Sequence, residues 1–251
     1  MDAYVYGVIG AGAGWRSPRD GVDEQPVELI TRGELAALVS DAPRVPVKAN
    51  RRNLMAHSRI LQEVVEERCV LPMRFGVVMP DRAAVEEELL TQNRDWLAAQ
   101  LRAFETYVEL DVRALCPEEA LLRTVVKERP QLAELRESLR GRPGPATYYE
   151  RIRLGELVAG AVAEKREEVV GRVAGRLGRL AAAAKPGDPL HEHMLANVAF
   201  LVDRERIPEF DAAVNALELE LEEGIQLRYI GPLPPHNFVD LETGTEAQAW
   251  A

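Results

Sequence analysis

Residues 4–9, Tyr-Val-Tyr-Gly-Val-Ile, are a β-branched and aromatic run that predicts a strand. A Gly- and Pro-rich loop over 10–26 follows, then two short strands, 27–31 and 35–40, turning at Gly33. Residues 50–68 show a helical period. Leu54, Leu61, Val64 and Val65 share one arc, His57 sits on it, and Lys48, Arg52 and Arg59 lie roughly opposite. The pattern then predicts a strand over 70–78, whose Pro72 favours an edge or irregular position. Next comes a helix N-capped by Asp81 and running to about residue 104, with Val85, Leu89, Trp96, Leu97 and Leu101 inward.

Residues 107–114 alternate Tyr, Glu, Asp and Arg with Val, Leu, Val and Ala, the period of a strand with one polar face. From Pro117 to about Ala184 the period is helical. Pro130 and the run 141–145 divide it into two short helices and one long one. The long helix repeats Ile152, Val158, Val162, Val169, Val173 and Leu177, and holds several glycines that close packing would have to offset. Residues 185–189 predict a turn, 194–203 a strand, 208–223 a helix ended by Gly224, and 225–230 a last strand. Pro232, Pro234 and Pro235 are expected to stop regular structure, and 241–251 to form a flexible tail.

These elements predict an α+β protein of two domains, 1–105 and 106–240. The second has the order of a modified ferredoxin-like sandwich with a long helix. At 251 residues and 47% hydrophobic content the chain builds real cores, and a wholly disordered chain is excluded. Its net charge of −10 argues against a dedicated nucleic-acid binder. No apolar run is long enough to span a membrane and no signal peptide is expected, which together with two isolated cysteines, Cys69 and Cys116, suits the cytoplasm.

Candidate chemistry is sparse. Gly10-Ala11-Gly12-Ala13-Gly14 follows a strand, but no helical period follows to hold a pyrophosphate, so a loop is the expectation. His191 and His193 lack the third and fourth ligands that zinc needs, and no metal or organic cofactor is expected. None of the four serines lies in a nucleophile elbow, and no carboxylate pair stands out for acid–base work. The stretch 42–62 differs: it carries Arg44, Lys48, Arg51, Arg52 and Arg59 and no acid. It reads as a solvated face or as a docking surface, formed by Lys48, Arg52 and Arg59, for an acidic patch on a partner or on the second domain.

Six segments in order resemble the gas vesicle protein F/L family, from residue 4 to about 240. They are 4–8 (Tyr-Val-Tyr-Gly-Val), 70–76 (Val-Leu-Pro-Met-Arg-Phe-Gly), 108–113, Tyr-Tyr-Glu-Arg at 148–151 with Leu-Gly-Glu-Leu-Val at 154–158, 199–203, and Gly-Pro-Leu-Pro-Pro-His-Asn-Phe-Val at 231–239. Leu233 and His236 depart from the commoner aromatics, as subfamily variation. The resemblance implies a non-enzymatic accessory or minor structural protein of gas vesicles. Such a protein would act in shell nucleation or assembly, in contact with the major shell protein and other accessory proteins. Within these motifs Arg74 and Arg113, polar beside strand residues, are expected to bind carboxylates. The competing reading is an enzyme or ligand-binding protein on a ferredoxin-like or α+β-barrel scaffold. A deep pocket holding His191, His193 and a carboxylate would favour it; a shallow surface with exposed apolar residues would favour assembly.

Overall fold

The computed structural model describes residues 1–12, 14–143, 145–222 and 224–239. The tail expected over 241–251 lies outside them. Two compact units form, one from residues 1–110 with 231–239, the other from 111–230. The final motif, assigned from sequence to the second domain, therefore packs with the first.

The first unit centres on β1 (Ala3–Gly10), buried along nearly its whole length. β2 (Glu28–Arg32) and β3 (Leu35–Asp41) lie on one side of it, and β4 (Val70–Pro72) and β5 (Val78–Met79) pair with it as well. β1 and β3 are antiparallel, with a bulge that leaves Tyr6 as the extra residue between the Val5–Val39 and Gly7–Leu38 pairs. The continuous strand expected over 70–78 is broken. Pro72 ends β4 at the sheet edge, and the chain turns at Gly76, with φ of 96°, before β5.

Helix α1 (Arg51–Glu67) is capped by Asn50, whose side chain accepts from the Asn53 N–H. It buries Ala56, His57, Ile60, Leu61, Val64 and Val65. Leu54, expected inside, is exposed, because Asn53 takes the inward position. Asp81 does cap the next helix, α2 (Arg82–Ala84), which runs through a π-helical turn, Val85–Thr91, into α3 (Arg94–Ala103). The single helix expected over 81–104 is interrupted where the Asn93 and Thr91 side chains donate to the carbonyls of Glu88, Leu89 and Glu86.

The second unit takes up β6 (Tyr107–Leu115) from Asp111, then α4 (Glu118–Glu128), α5 (Pro130–Ser138) and α6 (Tyr148–Leu177). There follow β7 (Ala183–Pro186), β8 (Met194–Asp203), α7 (Ile207–Glu220) and β9 (Gln226–Leu233). The sheet order is β7-β8-β6-β9, and the succession of strands and helical segments is β-α-β-β-α-β. β7 replaces what reads in the sequence as a helix end and a turn. All four of its residues are exposed, so no burial alternation marks it. α7 stops at Glu220 rather than Glu223, where Glu222 is drawn to Lys165 and Arg172. β9 runs through Pro232 to Leu233; as an edge strand it tolerates a residue without an N–H.

Inside this unit Lys165 is buried against three carboxylates, Glu128, Glu168 and Glu222, at 3.0–3.1 Å. Burial alone would lower its pKa; the three hydrogen bonds outweigh that and raise it. The N-terminal half of α6 has a different setting. Tyr148, Tyr149, Ile152 and Leu157 are exposed, and Gly155 and Gly160 face open space rather than a closely packed neighbour.

Candidate docking surface on the first helix

The outer face of α1 is shaped from beneath by a buried polar cluster. Tyr4 Oη donates to His57 Nδ1 at 2.8 Å, and His57 Nε2 donates to the Met73 carbonyl at 3.1 Å. A carbonyl only accepts, so the proton of the neutral ring sits on Nε2. Burial pulls the imidazole down from 6.5 to about 4 and pushes the Tyr4 phenol up. His57 is thus a packed, hydrogen-bonded core residue, as its place on the apolar arc predicts. The bulged Tyr6 stacks on it, with ring centroids 5.6 Å apart.

Tyr6 also ties down the loop before β2. Its Oη accepts from the Val22 N–H at 2.7 Å and bonds Ser40 Oγ at 3.0 Å. A Cβ on Gly21 would lie 2.0 Å from that oxygen, so only glycine passes here. Asn53, on the first turn of α1, holds the next residue from both sides: its Oδ1 accepts from the Asp23 N–H and its Nδ2 donates to Asp23 Oδ1. Asp23 and Glu24 have φ of 51° and 60°. Left-handed backbone at non-glycine residues costs roughly 1–2 kcal/mol each.

This loop brings Glu24 onto α1, where its carboxylate accepts from Arg52 Nη2. Both side chains are more than 60% exposed, and such pairs are worth about 0–1 kcal/mol. The ion pair is therefore too weak to hold the strained backbone, which rests on the bonds to Tyr6 and Asn53. The stretch 42–62 carries no acid of its own, and Arg52 is nonetheless neutralised. The neutralising residue comes from a loop, and the acids Asp20, Asp23 and Glu24 next to Gly21 were the available signal.

The Arg52–Glu24 pair separates two open clefts. One, of about 560 Å³, is lined by Arg19, Asp20, Met55 and Arg59 among others. The second, of about 510 Å³, is lined by Arg44, Lys48, Asn50 and Asn53 among others. Arg59 donates from Nη2 to the Asp20 carbonyl at 3.1 Å, while its buried Nε has no hydrogen-bond partner. Lys48 is exposed. Three large apolar residues, Val45, Leu54 and Met55, are exposed on the same stretch. The structure thus joins Arg52 to Arg59 across one cleft and to Lys48 across the other.

Other sequence candidates fall elsewhere. Arg113 reaches Asp111 at 3.2 Å, as expected; burial raises the Asp111 carboxyl and Arg113 opposes that. Arg74 is exposed and makes no ion pair among the described residues, so its expected carboxylate contact is not formed. His191 and His193 are exposed, and neither lines the clefts described above. Among the described residues no group of three or more His, Cys, Asp or Glu is placed to hold a metal ion. No described helix is long and apolar enough to cross a membrane.

The polar face expected on β6 is not solvated. Glu109 is buried, and its two carboxylate oxygens accept from the Asn237 backbone N–H and side-chain amide, both at 2.7 Å. Gly231 lies so close to β6 that a Cβ would stand 2.5 Å from Leu110 Cδ2. The motif segments 108–113 and 231–239 thus meet in one latch.

Comparison with known proteins places these motifs. The family profile described as gas vesicle synthesis protein GvpL/GvpF matches residues 2–240. The chain belongs to this family. It is 37% identical over 249 residues to gas vesicle protein F of Streptomyces sp. strain CB03234, covering 96% of this chain and 100% of that one. Gas vesicle protein F1 of Halobacterium salinarum is 28% identical, covering 89% of this chain and 86% of that one. The crystal structure of GvpF from Anabaena sp. PCC7120 matches in fold with a TM-score of 0.80 at 24% identity, covering 96% and 98% of the two chains. The GvpL/GvpF family thus accounts for the α+β fold of mixed helices and antiparallel sheets and for an association with gas vesicles.

Proposed function

We propose that this GvpL/GvpF family protein is an accessory or minor structural protein that helps nucleate or assemble the gas vesicle shell in the cytoplasm. It acts by binding rather than by chemistry, and its partners are the major shell protein and other gas vesicle accessory proteins. The observation that carries this reading is the mixed surface on α1, where exposed Val45, Leu54 and Met55 stand beside Lys48, Arg52 and Arg59. Exposed apolar residues favour contact with another protein, and a positive rim sets its approach and orientation. Open sheet edges such as β2 offer further pairing sites.

The test measures binding of the purified protein to the major shell subunit and to each accessory protein, at low and high salt. Reversing Arg52 and Arg59 to Glu should slow association at low salt and flatten its salt dependence, with the melting curve intact. Unchanged binding to every one of these partners would reduce the surface to a solvated helix face.

A further inference from the structure

We infer that Glu24 is a built-in occupant of a docking site, standing where a carboxylate of an acidic, amphipathic partner segment binds. The inference rests on the reading of α1 as the docking surface and adds the kind of partner and how the site is kept closed. Two clefts lie side by side, each with three cations in its wall against two acids, Asp20 or Asp23 and the shared Glu24, and the feature common to both is the Arg52–Glu24 pair. Removing Glu24 from Arg52 would leave three cations against a single acid in each cleft, a net positive track from Arg44 and Lys48 through Arg52 to Arg59. Met55 and Leu54 are exposed along the same helix. The complement of that surface is a segment whose carboxylates are spaced along an apolar stripe.

Three observations make Glu24 a replaceable occupant rather than a structural bond. Its side chain and that of Arg52 are both solvent-exposed, so water already competes for the pair. Its backbone is in the left-handed region, and so is that of Asp23 before it. Strain of this kind concentrates at switch and binding segments. Finally, the loop is anchored through Val22 and Asp23 and not through Glu24, so the carboxylate can leave Arg52 while the anchors stay.

The probe is a labelled helical peptide carrying Glu and Leu along one face, with a control in which Gln replaces every Glu. Binding to the full chain is read by fluorescence anisotropy at two salt concentrations. Glu24→Gln should bind the acidic peptide about threefold tighter, the range set by one exposed ion pair. Glu24→Gly, which also relieves the backbone, should bind tighter and melt no lower. Arg52→Gln should weaken binding, and adding Glu24→Gln to it should bring no gain, since the competitor acts only through Arg52. Equal or weaker binding by Glu24→Gln, equal binding of the Gln control, or no binding of the acidic peptide would each overturn the inference. If the Arg52 and Arg59 reversals abolish binding to gas vesicle proteins but Glu24→Gln changes nothing, the plug fails and the docking surface stands. If the peptide behaves as expected but no gas vesicle protein binds, the proposed function fails instead.

Discussion

At the scale of single residues, His57 makes the first unit sensitive to acid. Its imidazole titrates near 4 in the folded chain and near 6.5 when unfolded. Above pH 6.5 both states are neutral and nothing is gained or lost. Between 6.5 and 4 the unfolded chain takes up a proton that the folded chain refuses, so stability falls as pH falls, by up to about 3 kcal/mol, and levels off below 4. His236, also lowered by burial, adds in the same direction. Urea midpoints at pH 7 and pH 4.5 should differ less in His57→Gln than in the wild type; parallel pH profiles would refute this. Arg74 makes the opposite case. With no ion pair among the described residues and an exposed side chain, Arg74→Ala should shift the melting temperature by no more than a degree or so. A large drop would reveal a contact that the fold does not show.

At the scale of elements, α6 carries glycines that its own packing does not require. A Cβ at Gly155, Gly160, Gly171 or Gly175 would meet nothing within 4 Å. Alanine at each helical position should stabilise by about 0.5–1 kcal/mol, or roughly 1–4 °C in a chain of this size. Thermal melts of Gly171→Ala and Gly175→Ala provide the check, and a loss of stability would mean that these positions are packed against something. The same helix illustrates what the sequence discloses. Its inner half, Val169-Val173-Leu177, buries the predicted stripe, while Ile152 extends that period onto an exposed surface. A hydrophobic period reports where a helix is able to pack, not how far a neighbour extends along it. β1, β3 and β8 were legible as continuous apolar runs because both of their faces are buried, and α1 because its burial follows the helical period. β7 was not, since it buries nothing, and the break in the 81–104 helix depended on which carbonyls Thr91 and Asn93 would take. The basic face of α1 could be read from composition alone. The acids beside Gly21 were visible too, but which of them meets Arg52 was not, because Glu24 is 28 residues away in sequence and reaches the helix only through Tyr6 and Asn53.

At the scale of the whole molecule, the Glu109–Asn237 latch joins segments 128 residues apart in sequence. Removing the Asn237 side chain takes away one of the two bonds seen there, and a buried acceptor that loses a donor costs about 1–3 kcal/mol. Asn237→Ala should therefore lower the melting temperature by several degrees. Gly231→Ala should do the same through the clash at Leu110. Differential scanning calorimetry of both variants tests the latch, and wild-type behaviour in both would show that 231–239 is a passive extension. A chain ending at residue 230 should be less stable than one ending at 239, which retains the latch.

That latch also sets an order of events during synthesis. A ribosome releases residues 1–110 first and 231–239 only after the whole of 111–230. Strands β1 to β5 and helix α1 are available to collapse as they emerge, as N-terminal segments do. Glu109, however, has no Asn237 to bind until the second unit has been made. The unit that begins folding first is thus completed last, and a message or chain cut short anywhere in the second unit leaves the first one unfinished as well.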